Sequence, residues 1–388
     1  MTNKKPKVVF TFVEAGMGHI IPADAMYQAF KNKYSDKCEV VKSYIFSESK
    51  NCQVNKMGEE LSAHTKRAMK NKFYNKLESL SYLLSSKTTL KILDRHFRYA
   101  HEPFFDEYKK LNPDLIVSTY YKPSHLAYLS NKKGLTNSLI ATYTPDPYVY
   151  PAWDRHCDLF VVNNDLAGAM ALKKGFSKKI IKQVPFVYNP NVVGLNTDRE
   201  QAKKTLGLDN DKYTVLFTNG AYGAKNTQEI FRRIIKENLD INLVVVCGKN
   251  QKLLSIVNAV KGREGLKTKV YAVGFTNRLA EYIRAANVVV GKSGMNTPME
   301  CIYLGAPMII CSEASRLEEL TTKYFVKENL VLKQTSPKKI ARLIRELSNG
   351  LDLFSEMERG FEKYKNPHGA ELCADMLFEL LKTRFPEL

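Results

Sequence analysis

Short runs of β-branched and aliphatic residues alternate with longer segments of helical periodicity along most of this 388-residue chain. Few folds other than parallel α/β structure accommodate that alternation. In the first half, strands are expected at Val8–Phe12, Cys38–Ser43, Leu115–Ser118, Leu139–Tyr143 and Leu159–Val162. Helices are expected after His19, across Asn55–Lys70, Asn75–Arg98 and Asn164–Lys174. The second half repeats the pattern. Strands are expected at Thr214–Thr218, Leu243–Val246, Val270–Val273, Val288–Val290 and Met308–Ile310, separated by helices at Thr227–Asn238, Leu253–Val260, Leu279–Ala286 and Thr297–Tyr303.

A chain this long with 44% hydrophobic residues holds more core than one ordinary domain needs, so two are expected. The Pro- and Asn-rich segment Pro185–Thr197 reads as the linker. It separates a Rossmann-like domain over 1–187 from a second over 198–365. A final helix, 371–383, carries Leu372, Met376, Leu377, Leu380 and Leu381 at helical spacing and is expected to pack back on the first domain. Two facing domains of this kind place a ligand cleft at the carboxyl ends of their strands.

The seven cysteines are scattered and form no CxxC pair, which points to a reducing compartment rather than a disulfide framework or zinc site. The N-terminus has no signal-peptide pattern, and no apolar run is long enough to span a bilayer. A cytoplasmic protein is expected. The formal charge of +19 implies an anionic partner or a solubilising lysine excess.

The most informative stretch is Gly291–Pro307. A buried strand ends in Gly291-Lys292-Ser293-Gly294-Met295-Asn296-Thr297, with Thr297 read as an N-cap, Pro298 in the first turn and Glu300 three residues on. That is a capping-box arrangement. Glycines before a helix start let amide N–H groups approach an anion, and the helix end adds partial positive charge. On spacing alone, the same residues serve equally as a tight strand-to-helix turn.

The wider order is strand, Gly274-Phe275-Thr276, helix, strand, Lys-Ser-Gly, Thr-Pro-Met-Glu, then Leu304-Gly305-Ala306-Pro307. It resembles the donor domain of family 28 glycosyltransferases, which include diacylglycerol glucosyl- and galactosyltransferases. The resemblance implies a GT-B fold and a UDP-sugar as substrate, with no further cofactor. It implies that Phe275 and Thr276 flank uracil, that Gly294, Met295, Asn296 and Thr297 hold the phosphates, and that Glu300 binds the ribose hydroxyls. Gly220 and Ala221, in Asn219-Gly220-Ala221-Tyr222-Gly223, match the family's first loop of this domain. Beyond Pro307 the chain departs from the family pattern. Leu317 stands where a glutamine is usual, leaving Glu318 as a sugar contact, and Val184-Pro185-Phe186-Val187 lacks the usual arginine. The donor sugar is therefore left unassigned.

Near the N-terminus, Glu14-Ala15-Gly16-Met17-Gly18-His19 follows the first strand. It lacks the third glycine of a dinucleotide fingerprint and resembles the family's Gly-Gly-Gly-His loop, with Gly18 facing the sugar. The resemblance makes His19 the leading general base, since imidazole titrates near neutrality. Its other role is to cap a helix start. Asp146, between Pro145 and Pro147, is a second candidate base, or simply a turn residue. The remaining histidines show no metal-ligand spacing, and Asp209–Asp211 reads as a turn. No metal is expected; amides and cations would stabilise the leaving diphosphate. Inverting transfer follows by a single displacement.

Within Asn55–Arg98, the nine residues Lys66, Arg67, Lys70, Lys72, Lys76, Lys87, Lys91, Arg95 and Arg98 interleave with Phe73, Tyr74, Leu77, Leu80, Leu84, Leu90 and Leu93. Such a segment suits an anionic membrane surface or an ordinary packed face. The resemblance favours the membrane, with diacylglycerol or a related lipid as acceptor, on the cytoplasmic face. Two other readings compete: a UDP-N-acetylglucosamine 2-epimerase-like isomerase, and a non-catalytic nucleotide-sugar-binding or membrane scaffold protein. No basic–aromatic recognition element suggests nucleic acid.

Overall fold

A computed structural model describes residues 5–14, 17–70, 84–218 and 226–388, without the side chains of 64–70. The chain forms two compact units, Met1–Asn189 with Asn366–Leu388, and Pro190–Lys365.

The first unit is a six-stranded parallel sheet of β1 (Lys7–Thr11), β2 (Glu39–Ser43), β3 (Leu115–Ser118), β4 (Leu139–Tyr143), β5 (Leu159–Val162) and β6 (Ile181–Gln183). Their order is β2-β1-β3-β4-β5-β6. β3, β4 and β5 are buried on both faces, which is why they read as continuous apolar runs rather than alternating ones. The second unit repeats the plan with β7 (Tyr213–Thr218), β8 (Ile241–Val246), β9 (Lys269–Val273), β10 (Val288–Lys292), β11 (Met308–Ser312) and β12 (Leu332–Lys333). Their order is β12-β11-β10-β7-β8-β9. In each sheet the order reverses beside the first strand, so β1/β3 and β7/β10 flank the switch points where open α/β sheets bind ligands.

Gly291 is required where β7 and β10 pair. It lies opposite Thr218, and a Cβ there would sit 2.6 Å from the Thr218 carbonyl oxygen. The C-terminal helix Gly369–Lys382 packs along helix Met17–Tyr34. Tyr34 stacks on Phe378 with ring centroids 4.0 Å apart, and its hydroxyl donates to Asp375 at 2.6 Å. Leu377 and Leu381 complete the core under β1, β3 and β4.

Several sequence expectations change. β6 and β12 are three and two residues long, too short to leave a periodic signal. The boundary between the units, Asn189/Pro190, falls within the expected linker Pro185–Thr197, in which Val187, Tyr188 and Val192 are buried and Pro190–Val193 form a helical turn. The expected helix Asn75–Arg98 begins, in its described part, only at Ser86, because the Ser85 hydroxyl caps the Thr88 amide. Residues 71–83, including Phe73, Tyr74, Leu77 and Leu80, lie outside the described residues.

Candidate active site

On the second unit, β10 delivers Lys292 and Ser293 to the carboxyl edge, and helix Asn296–Leu304 starts three residues later. Ser293 is fully buried; its amide donates to Ser312 O at 2.8 Å and its hydroxyl to Glu318 O at 3.0 Å. Thr322 donates to the same hydroxyl at 2.8 Å. These bonds fix the loop while leaving Gly294 with open space on its side-chain face.

The capping box expected here does not form. Met295, already helical at φ −83° and ψ −45°, occupies the N-cap position, and no side chain caps the helix. Thr297 is then the second helical residue and Glu300 the fifth. The Met295 side chain makes no cap bond to the helix start, and a helix N-terminus favours an anion.

Glu300 is 6% exposed. Among the described residues no hydrogen bond or ion pair reaches its carboxyl group, and burial alone pushes its pKa up to about 7. A buried carboxylate without a donor is costly unless a ligand supplies one.

Glu318, expected as a sugar contact, is engaged by the protein instead. One oxygen pairs with Lys292, and the other accepts from the Ala314 amide at 2.7 Å. Its own amide donates to Ser315, the cap of helix Arg316–Lys327. The carboxylate therefore positions Lys292, a cation beside the β10 loop that sequence reasoning passed over.

At the far edge of the sheet, after β9, Phe275 is 73% exposed with Lys249 Nζ 5.7 Å from its ring centroid. Thr276 closes a local turn by accepting from the Arg278 amide at 3.0 Å. Three strand spacings separate β9 from β10, about 14 Å, comparable with an extended nucleoside diphosphate. Gly220 and Ala221 lie outside the described residues, as does Gly16.

On the first unit, helix Met17–Tyr34 begins before His19 rather than after it, so Gly18 and His19 lie in its first turn. Pro22, lacking an N–H, leaves the Gly18 carbonyl without its helical donor. His19 Nδ1 lies 2.7 Å from the Thr119 carbonyl oxygen, and the Thr119 hydroxyl donates to His19 O at 2.7 Å. Nδ1 must then carry the proton, which leaves Nε2 as the acceptor. Tyr120 packs edge-on against the imidazole at 4.9 Å. Burial lowers the His19 pKa to about 4, against a smaller opposing effect of the Thr119 bond. The near-neutral titration expected from the sequence is thus removed by desolvation, and the ring is neutral at pH 7.

Asp146 follows β4, on the same sheet edge as His19 and separated from β1 only by β3. Its loop is pinned by the Asn163 side-chain amide, which donates to Pro145 O at 2.8 Å and Thr144 O at 3.3 Å.

Sequence spacing also missed a buried ionic network. His125 Nδ1 lies 2.5 Å from Asp154, and its Nε2 lies 2.8 Å and 2.9 Å from the two Asp94 oxygens. Lys122, 0% exposed, pairs with Asp94 at 3.2 Å, and His156 Nδ1 approaches Asp154 at 2.6 Å. Burial opposes the charged form of His125, but its bonds to Asp154 and Asp94 outweigh it and raise the pKa. The participants lie about thirty positions apart, so no local motif announces them. Among the described residues, no group of three or more His, Cys, Asp or Glu side chains is arranged to hold a metal ion. Asp209 and Asp211 form a turn, the Asp211 amide donating to Asp209 at 3.3 Å.

The chain covers 96% of its length against MurG from Acinetobacter baumannii, with TM-score 0.62, 12% identity and 99% of that chain covered. Against a UDP-N-acetylglucosamine 2-epimerase the TM-score is 0.55 at 14% identity, covering 99% and 97% of the two chains. These likenesses establish the GT-B fold. A monogalactosyldiacylglycerol synthase of Glycine max, classed as probable, is 22% identical over 89% of this chain, which spans 65% of that relative's length. The processive diacylglycerol beta-glucosyltransferase of Bacillus subtilis is also 22% identical, over 80% of this chain and 76% of the relative. The family model for monogalactosyldiacylglycerol (MGDG) synthase matches residues 19–184, and that for the glycosyltransferase family 28 C-terminal domain matches residues 214–371. One match begins at His19 and the other takes in the β10 loop with Glu300, so the first half of the chain is similar to MGDG synthase and the second to the glycosyltransferase family 28 C-terminal domain.

Proposed function

We propose that this protein is an inverting, metal-independent glycosyltransferase that moves a hexose from a UDP-sugar to a hydroxyl of diacylglycerol or a related membrane lipid. The observation that carries the donor half is Glu300, buried and, among the described residues, without a hydrogen-bond or ion-pair partner, in the helix that follows the β10 loop. Ribose hydroxyls supply the missing donors, and a diphosphate suits the N-terminus of that helix, with Lys292 beside the loop. Phe275 offers an exposed ring to the base.

In this reading an acceptor O–H gives its proton to His19 Nε2, or to Asp146. The oxygen attacks the anomeric carbon, the bond from that carbon to the diphosphate oxygen breaks, and UDP departs. Attack from the opposite face inverts the configuration. The accumulating charge on UDP is met by fixed dipoles and cations.

The relatives' names, MGDG synthase and diacylglycerol glucosyltransferase, support a lipid acceptor. Among the described residues no helix is long and apolar enough to cross a membrane. Helix Ser86–His96 exposes Ile92 at 53%, with exposed Lys87, Lys91 and Arg95 on the same helix, which supports peripheral binding to an anionic cytoplasmic face. The test is UDP release from UDP-glucose, UDP-galactose and UDP-N-acetylglucosamine, with and without diacylglycerol vesicles. Lipid-dependent release with a glycolipid product is expected. Epimerised sugar without acceptor-dependent release would replace this reading with the isomerase one.

A further inference from the structure

On the first unit, a pocket of about 710 Å³ opens where helix Ser86–His96, the turn Arg98–Ala100, helix His101–Leu111 and helix Tyr121–Lys132 meet. Arg95, Arg98 and Lys132 line it, and among the described residues none of the three makes a hydrogen bond or ion pair. Lys133 also lines it but is engaged with Glu102.

Three features make this more than a basic surface. The one carboxylate in the wall, Asp94, is already held by Lys122 and His125, so it does not cancel the three free cations. His101 Nε2 is buried in the same wall without a hydrogen-bond partner; the nearest acceptor, Asp94 Oδ1, is 3.8 Å away. His101 is also the first residue of helix His101–Leu111, whose N-cap residue Ala100 makes no side-chain cap bond. Phe105 and Leu129 supply apolar wall.

We infer that this pocket binds a phosphate group, held by the Arg95 and Arg98 guanidinium forks and Lys132, with an apolar glycerol-sized body against Leu129. Planar guanidinium pairs match tetrahedral oxyanions better than point charges do. Such a phosphate can arrive on a lipid headgroup or on a small soluble phosphomonoester, and the pocket chemistry is shared by both.

The test compares wild type with Arg95→Ala/Arg98→Ala and with a control of equal charge change, Lys109→Ala/Lys110→Ala, exposed on the other end of helix His101–Leu111. Binding is measured at about 0.15 M salt, where diffuse surface attraction is largely screened. One arm follows sedimentation with phosphatidylcholine vesicles containing phosphatidic acid; the other follows thermal stabilisation by glycerol 3-phosphate. A loss of tenfold or more in the pocket variant, with the control near wild type, supports the site. Loss in the vesicle arm alone assigns a lipid headgroup, and loss in the soluble arm assigns a free phosphate. Equal losses in both variants, or no loss in either arm, would overturn it. UDP affinity is expected to be unchanged in the pocket variant. Because the readout is binding, the outcome is independent of which sugar or acceptor the active site uses.

Discussion

His19 and Thr119 are joined by two reciprocal hydrogen bonds, imidazole Nδ1 to carbonyl and hydroxyl to carbonyl, each 2.7 Å long. The pair ties the first turn of the first helix to the residue after β3 and fixes the tautomer that leaves Nε2 as acceptor. Replacing His19 by Ala is expected to lower turnover by about 10²–10⁴-fold with UDP affinity nearly unchanged. Turnover at the wild-type rate would remove His19 from the chemistry. Thr119→Val keeps the carbonyl but loses the returning bond, so a smaller loss in kcat with little change in UDP affinity is expected.

Glu300 gives a pH-dependent prediction. Its folded pKa of about 7 lies above the ordinary carboxylate value of 4.5, so between those values the folded protein holds a proton the unfolded chain has released. Stability without ligand therefore falls as pH rises through that window, by roughly 3 kcal/mol if the full difference applies. Glu300→Gln is expected to match wild type in Tm near pH 5 and exceed it at pH 8. Nucleotide affinity should move the other way, weakening about 10–100-fold at pH 8 through loss of charge-assisted bonds. Calorimetry at the two pH values checks both.

The Asp94–His125–Asp154 network should show stability lost on both sides of a pH window. Burial raises the pKa of Asp94 and Asp154, but the His125 bonds outweigh it and hold both below the usual carboxylate value, so that contribution is lost as pH falls through their folded values. His125 is raised, so its contribution is full below the ordinary imidazole pKa and is lost as pH rises through the folded one. His125→Ala leaves two buried carboxylates short of a partner and is expected to cost about 3–5 kcal/mol. A pH series of urea denaturation should show the variant lacking the alkaline loss.

Two glycines differ in what they tolerate. Gly291→Ala drives a methyl group to 2.6 Å from Thr218 O, whereas Gly294→Ala meets nothing within 4 Å. The first should destabilise by about 1–3 kcal/mol and the second by well under 1 kcal/mol. Gly294→Ala should still weaken UDP binding if its open face admits the phosphates.

The central strands were legible because burial on both faces writes an uninterrupted apolar run: Leu115–Ser118, Leu139–Tyr143 and Leu159–Val162 have the same bounds in sequence and structure. Helix starts were less legible. The helix with Asn296 at its start has Met295 rather than Thr297 at its N-cap position, with no side-chain cap bond from it, so reasoning from capping residues placed that boundary too late; the first helix starts at Met17, two residues before His19. Glu300 was identifiable through its family pattern, but its burial without a partner was not, because that depends on what the fold withholds from it. Lys292 was missed because its role depends on Glu318, twenty-six residues away. His125 lies deeper still, its partners being thirty-one and twenty-nine residues distant on either side.

The stacking of Tyr34 on Phe378 has a consequence for biosynthesis. Residues 366–388 belong to the first unit, yet a ribosome makes them only after residues 190–365. The second unit is one uninterrupted stretch and can assemble as it emerges. The first must wait with Met26, Phe30 and Tyr34 uncovered until Leu377, Phe378 and Leu381 arrive. During that interval the nascent chain displays an apolar strip for chaperones, and premature termination within residues 366–388 would leave it permanently open.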